Sequence, residues 1–344
     1  MEDRKLRVCW LKDNKPGHLT KIRGLIKALS AVREVSVFEC PVKWRPKYMR
    51  GVLALVPFLR NIYPLHYCLN LPPSSEAFDL IVSAGGATEW PNARLSKLCR
   101  AKNIYLGSLR LCDTREFSLL PRIDEDDGMT VMQMSIVPSE LNRSKAAVEA
   151  SRAFPEDMGK TWTVLIGGNG SGVSWTENDW FQLANGVIQA ARQSDVQLIV
   201  TTSRRTGRRG EEILKSAFQA SGILARAAWF SEDGLSNAPS LVAMIGQSEL
   251  VWVTEDSASM VNEAVASGRP VITLRPGQSR PDSLIEGMLC RFEGASYIHR
   301  NKKLDNIKLP EASKEWILMQ DDWHHAFGKQ ILNRLDMKKE GECF

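Results

Sequence analysis

The sequence predicts two successive α/β units, each a parallel sheet crossed by helices, on three observations. The chain of 344 residues has about twice the length of an ordinary domain. Short apolar runs alternate with helix-like stretches along most of it, the pattern of βαβ units. A polar, helix-forming stretch from Ser139 to Lys160 divides these runs into two series and reads as the inter-domain connection. The expected domains are 1–150 and 151–310, followed by a C-terminal segment, 311–344, whose amphipathic part, Glu311 to Leu335, reads as a helix.

In the first series the strands are Leu6 to Leu11, Val35 to Phe38, Leu80 to Ser83 and Ile104 to Leu106. Leu19 to Leu29 carries apolar residues at helical spacing, and Pro46 to Leu59 and Asn92 to Arg100 read as further helices. The second series has strands at Trp162 to Ile166, Gln197 to Thr201, Ala227 to Phe230, Leu250 to Val253 and Val271 to Leu274. Its helices are Asn178 to Arg192, Arg209 to Ala220, Ser240 to Ile245 and Ser257 to Ser267, the last closed by Gly268 as C-cap. Ligands of open parallel sheets bind beyond the carboxyl ends of the strands, so the loops that follow strands are the places to search.

Composition narrows the class. With 43% hydrophobic and 25% charged residues, the chain is of globular type, neither disordered nor fibrous. The longest uncharged apolar run, Gly51 to Leu59, is interrupted by Pro57 and falls well short of the ~20 residues a spanning helix needs. The N-terminus alternates acids and bases before an apolar run too brief for a signal-peptide core, so a cytoplasmic location is expected. Seven cysteines, an odd number without Cys-x-x-Cys spacing, argue against a disulfide framework or a zinc knuckle. The five histidines lack metal-ligand spacing, and no built-in metal or cofactor is expected.

The net charge of +5 is unevenly spread: residues 1–60 hold 14 Lys or Arg against 5 Asp or Glu, and the remaining 284 hold 31 against 35. The densest basic piece contains Lys43, Trp44, Arg45, Lys47 and Arg50, and it runs into an apolar stretch that includes Leu53, Leu55 and Phe58. Such a segment suits docking on an anionic membrane, each base adding about 1 kcal/mol. The alternative is an ordinary helix with a core face and a solvated basic face. Nucleic acid fits less well, because the bases lack the repeated interleaved aromatics of a single-strand platform.

Four loops carry residues suited to chemistry. In the first, Lys12 to His18, Pro16 and Gly17 enforce a turn and place His18 at the mouth of a helix, with Asp13 as an orienting carboxylate. The second, Gly167-Gly168-Asn169-Gly170-Ser171-Gly172, is expected to leave backbone N–H groups open to an anion, although it is neither a Walker A loop nor a dinucleotide fingerprint. The third offers Ser203, Arg204, Arg205 and Thr206, hydroxyls and guanidinium forks suited to a diphosphate. The fourth, Thr254, Glu255, Asp256, Ser257, Ser259 and Met260, forms a strand-to-helix turn able to hold an anionic group, with Glu263 farther along the helix to accept hydrogen bonds from a ribose diol.

Lys15-Pro-Gly-His18, Leu165-Ile-Gly-Gly168, Thr202-Ser-Arg-Arg-Thr206 and Thr254-Glu-Asp-Ser-x-Ser-Met-x-x-Glu263 with Gly268-x-Pro-Val271 resemble the mitochondrial fission "elongated mitochondria" family. That family, mostly bacterial, is similar to the GT-B nucleotide-sugar glycosyltransferases. The four motifs stand in family order over roughly residues 7–275, and the last is the most specific. Asn14 stands where the family usually has glycine, a substitution that a left-handed turn tolerates. The stretch Leu109 to Val137, including the acidic run Asp124 to Asp127, matches poorly.

The resemblance implies a GT-B-like fold, two Rossmann-like domains with parallel sheets facing across a cleft, and a C-terminal helix that returns to the first domain. It implies a donor nucleotide diphosphate on the second domain, an acceptor and base on the first, and no metal. The function expected is transfer of a sugar from a nucleotide-activated donor to a cell-envelope glycolipid or polysaccharide acceptor at the inner leaflet, with His18 as base. The alternatives are a non-catalytic scaffold in membrane or organelle fission and a nucleotide-sugar epimerase of the same fold.

Overall fold

A computed structural model describes residues 4–70, 78–123, 125–156, 158–232, 236, 238–304, 307–310 and 316–337. Asp124 and residues 311–315, both within expectations drawn above, lie outside the described residues. The chain divides into two compact units, one running to Glu140 and taken up again from Asp322, the other spanning Leu141–Asp321.

The first unit is built on a four-stranded parallel sheet. Its elements are β1 (Leu6–Lys12), α1 (Pro16–Ser30), β2 (Val35–Pro41), α2 (Met49–Leu55), α3 (Leu59–Ile62), β3 (Leu80–Ala84), α4 (Glu89–Cys99) and β4 (Lys102–Leu106). The strand order is β2-β1-β3-β4. The chain steps from β1 to β2 on one side and returns through β3 on the other, so the direction reverses between β1 and β3, where a crevice opens in such sheets. All five residues of β3 are buried, as expected of a strand covered on both faces. The single helix expected over Pro46 to Leu59 is two pieces, because Pro57 disfavours helical backbone at Val56. Farther along, β5 (Leu120–Arg122) and β6 (Val131–Gln133) pair in parallel within the stretch whose sequence matched the family poorly.

Buried polar groups lock α4 onto this sheet. The Asn92 amide donates to Ser83 Oγ (2.8 Å) and to the Ile104 carbonyl (3.0 Å), and its oxygen accepts from Asn103 (2.8 Å). Glu89, fully buried, accepts the N–H groups of Arg110, Leu111 and Cys112 on one carboxylate oxygen at 2.7–2.9 Å. Losing such a buried acceptor strands three donors, which costs more than a hydrogen bond adds.

The second unit opens with α5 (Arg143–Ala153), which packs on α8 (Leu241–Gln247). This places the start of the second unit at Leu141, ten residues before the boundary expected at 151. The stretch read as a connection is the unit's own first helix, capped by the Asn142 side chain. The sheet contains β7 (Thr161–Leu165), β8 (Gln197–Thr201), β9 (Leu224–Ala228), β10 (Leu250–Thr254), β11 (Val271–Leu274) and β12 (Ile298–Asn301). The order is β12-β11-β10-β7-β8-β9, every pairing parallel. Its direction reverses between β7 and β10. The remaining helices are α6 (Glu177–Gln193), α7 (Gly207–Ala220), α9 (Ala258–Ala266) and α10 (Ser283–Gly294). β12 and α10 have no counterpart in the expected elements, because Ile298–Asn301 mixes His and Arg into a short strand that shows no apolar run.

The core of this unit buries Trp162, Trp175, Trp180 and Trp252 with the aliphatic faces of β7, β8 and α6. Trp175 and Trp180 are stacked nearly parallel, their centroids 4.2 Å apart at 7°. Beyond it, α11 (Trp323–Arg334) belongs to the first unit and packs on α1. Gly328 faces the Ala28 carbonyl so closely that a Cβ would collide with it. The six described cysteines are free, and among the described residues no helix is long and apolar enough to cross a membrane.

Candidate functional site

Each unit gathers the expected loops at its own switch point. In the first unit, Asp13 follows β1 and is buried, while His18 stands in the first turn of α1, behind Pro16 at the helix start. Asp13 Oδ2 lies 2.7 Å from His18 Nδ1, and its Oδ1 accepts the Lys15 N–H at 3.2 Å. A carboxylate only accepts, so Nδ1 carries a proton, and in the neutral ring Nε2 is the acceptor. The imidazole rests on Gly85, in the loop after β3: a Cβ there would overlap the ring, and φ is +84°. Asn14 keeps a negative φ, so this turn makes no use of the left-handed tolerance expected of it.

The loop Gly85-Gly86-Ala87 was missed in the sequence, although two glycines following a buried strand are a usable signal. It organises much of the basic segment. A Cβ at Gly86 would come within 2.6 Å of Arg50 Nη2, and Trp44 Nε1 donates to the Ala87 carbonyl at 2.9 Å. Trp44 also packs against Tyr63 and Trp90, with centroids 6.2 and 5.7 Å away. The membrane-docking expectation is therefore corrected for two residues. Leu53 is fully buried in the core beside Cys9, Cys40 and Trp90, and Trp44 is a tethered wall of a groove. Lys43, Arg45 and Lys47 are exposed, as are Leu55 (84%) and Phe58 (67%), with Tyr48 and Ile62 nearby in sequence.

In the second unit the three loops lie beyond β7, β8 and β10. The glycine loop does not offer its amides as expected. Gly167 N–H donates to Thr254 Oγ1 (2.8 Å), Gly168 N–H to Asp256 Oδ2 (3.0 Å), Asn169 N–H to the Arg205 carbonyl (3.1 Å) and Gly170 N–H to the Val173 carbonyl (2.9 Å). The glycines are needed for close approach instead. A Cβ at Gly167 would strike the Asp256 carboxylate, and one at Gly168, where φ is +150°, would strike the Arg205 backbone. Ser203 Oγ (2.7 Å) and Thr206 Oγ1 (2.5 Å) both donate to the Gly167 carbonyl, closing the second loop onto the first.

Thr254, Asp256, Ser203 and Thr206 thus frame the site rather than face a ligand. Glu255 departs further from expectation. Fully buried, it accepts from Arg300 at 2.7 and 2.8 Å and from Thr273 at 2.8 Å, with Arg275 at 3.2 Å, so it serves an internal ion cluster that extends through Arg300 to Glu286. Two guanidiniums and a hydroxyl on one carboxylate satisfy the condition for a charge to be buried. The signal missed was Arg300, forty-five residues downstream.

Three of the expected groups lie wholly or partly open. Arg204 and Ser259 are exposed, and Met260 is partly so. Ser257, buried at the N-cap of α9, makes no capping bond with its side chain, and a helix start without a capping side chain is chemically suited to an anion. Arg205 is half-engaged: its Nη2 sits 2.8 Å from Asp256 Oδ2 while about a third of the side chain is exposed. Burial pushes the Asp256 carboxyl up, against the pull of Thr254, Arg205 and the Gly168 N–H. Glu263, one turn and a half into the chain after Ser257, is partly buried, and its carboxyl too is pushed above the usual range by burial. Among the described residues, no three His, Cys, Asp or Glu side chains are grouped to hold a metal ion.

No curated protein matches the sequence. Among solved structures, a UDP-GlcNAc 2-epimerase from Methanocaldococcus jannaschii, in complex with UDP-GlcNAc and UDP, is similar at 10% identity over 96% of this chain and 100% of that one, with a TM-score of 0.48. An Escherichia coli heptosyltransferase with ADP-2-deoxy-2-fluoro heptose is similar at 12% identity over 95% and 99%, TM-score 0.45. A glycosyl transferase family 9 protein from Veillonella parvula is similar at 11% over 98% and 99%, TM-score 0.47. The family model described as mitochondrial fission ELM1 matches residues 16–300. Spanning the strand loops of both units, that match places the chain in the mitochondrial fission ELM1 family, to which it belongs.

Proposed function

We propose that the protein is a metal-independent glycosyltransferase that moves a sugar from a nucleotide-activated donor to a membrane-associated glycolipid or polysaccharide acceptor of the cell envelope. The observation that carries this reading is the Asp13–His18 pair at the switch point of the first unit. A buried carboxylate fixes the tautomer and leaves Nε2 free to take the proton of an acceptor hydroxyl. In the second unit, the uncapped start of α9 with Arg204, Arg205 and Ser259 suits the donor diphosphate, and Glu263 suits the ribose. Leu55, Phe58 and the neighbouring bases suit docking at an anionic inner leaflet from the cytoplasmic side.

A calorimetric titration of the protein with nucleoside mono- and diphosphates and activated sugars tests the donor half. Saturable binding of one nucleotide, weakened in Glu263→Ala and Arg204→Ala, is expected. One observation favours a second reading, a non-catalytic fission scaffold: the amides of Gly167–Gly170 are all spent within the protein. If no nucleotide binds the folded chain, that reading replaces the first.

A further inference from the structure

We propose that the groove between the basic segment and the loop after β3 binds an anionic group, a phosphate or carboxylate, on the molecule whose hydroxyl His18 activates. This deepens the proposed function, on which it rests, by naming the acceptor as negatively charged close to its reacting hydroxyl. The groove has a volume of about 550 Å³ and is lined by Lys43, Trp44, Arg45, Lys47, Arg50 and Ala87, together with Pro46. That volume lies in the range of small-ligand sites. Four of these groups are cations and none is an acid, and among the described residues no carboxylate pairs with any of the four. Cations collected in a concavity without counter-charge raise the local concentration of anions.

Position, rather than charge alone, connects the groove to the chemistry. The Arg50 guanidinium lies on Gly86 and the His18 imidazole on Gly85. Consecutive Cα atoms are about 3.8 Å apart, so a fork-shaped donor and a base sit over neighbouring residues of one loop. The Trp44 bond to Ala87 fixes the groove wall to that same loop, and the wall's aromatic packing on Tyr63 and Trp90 gives it a rigid face. An anion held in bidentate fashion by Arg50 leaves the adjoining part of its molecule at His18. The exposed apolar residues Leu55 and Phe58 are not among the lining residues, so docking on a bilayer and recognition of the anion are separable.

The test titrates the full chain with inorganic phosphate, glucose 6-phosphate and glucose, and separately with phosphatidylcholine vesicles with and without phosphatidic acid. Saturable binding of the phosphate-bearing probes, absent for glucose, is expected. Arg50→Gln should weaken it at least tenfold, Lys47→Gln less, and Arg50→Lys should restore part of it. Leu55→Ser with Phe58→Ser should leave soluble phosphate binding intact. Binding of the soluble probes assigns the anion to a sugar phosphate, whereas binding confined to phosphatidic acid vesicles and lost in Arg50→Gln assigns it to a lipid headgroup. Equal binding of glucose and glucose 6-phosphate, no phosphate binding at all, or binding indifferent to Arg50→Gln in a protein of unchanged melting temperature overturns the proposal. A nucleotide titration of Arg50→Gln keeps the two levels distinct: lost phosphate with retained nucleotide concerns only the groove, and absent nucleotide binding concerns the donor reading.

Discussion

The two switch points solve opposite problems. In the second unit the loop polar groups are spent on one another: hydroxyls, glycine amides, Asp256 and Arg205 close a rigid frame around the end of β7. In the first unit the loop holds the Asp13–His18 pair, and among the described residues no carboxylate pairs with Lys43, Arg45, Lys47 or Arg50 of the neighbouring groove. A frame closed largely by its own hydrogen bonds sets shape, and the proposed ligand groups, the start of α9, Arg204 and Glu263, lie outside it. A groove of unspent charges sets potential, and its ligand supplies the missing partner. Residue type alone does not distinguish these cases, since arginine, serine and aspartate occur in both.

The largest effect should come from the first unit. His18→Ala should lower turnover with a competent acceptor by about 10² to 10⁴ while nucleotide titration is unchanged. Gly85→Ala should approach the same loss, because a methyl there displaces the imidazole. Full turnover in either variant would separate the base from the loop that seats it.

Next in size is the frame itself. Gly168→Ala places a methyl against the Arg205 backbone at a φ of +150°, and the melting temperature should fall by several degrees, corresponding to about 1–3 kcal/mol. If it does not, the loops adapt more freely than their hydrogen bonds indicate, and the contrast between a rigid and an open site weakens.

Glu263 sharpens the contrast through pH. Its carboxyl titrates above the usual range because burial disfavours the charge. The folded state therefore holds the proton more tightly than the unfolded chain, so stability is lost as pH rises through the raised value and nothing is lost below the ordinary carboxylate range. Glu263→Gln should raise the melting temperature at pH 7, with the gain vanishing in acid, and should weaken nucleotide binding at neutral pH. In the unaltered protein, nucleotide affinity should fall on acidification sooner than an ordinary carboxylate would cause. The smallest effect is on the exposed apolar residues: Leu55→Ser with Phe58→Ser should reduce co-sedimentation with anionic vesicles and leave the melting temperature within about 1 °C, since neither side chain contributes to the core.

The alternation of apolar runs was enough to find nine of the sheet strands, although the one expected over Ala227 to Phe230 starts three residues late for β9 and the exposed β2 owes its reading to β-branched residues; strands buried on both faces, such as β3 and β7, are written as continuous hydrophobic stretches. β12 was not legible, its Arg300 being buried by ion pairing to Glu255 rather than by apolarity. The same pair removed Glu255 from the candidate site, and no local pattern signals a partner forty-five residues away. His18 with Asp13 was legible because turn chemistry and a helix start fix both within six residues. Arg50 against Gly86 and Trp44 against Ala87 were not, since each joins segments more than thirty residues apart.

The stacked Trp175–Trp180 pair has an optical consequence. Two indoles nearly parallel at 4.2 Å couple their excited states, which gives a split circular-dichroism band that depends on their mutual angle. The Trp175 backbone N–H donates to Asn169 Oδ1 at 2.7 Å, so the residue that carries one chromophore of the pair is tied through its backbone to the glycine loop. The protein carries its own label-free gauge of that loop: a rearrangement there by a few degrees would change the couplet before any enzymatic product had formed.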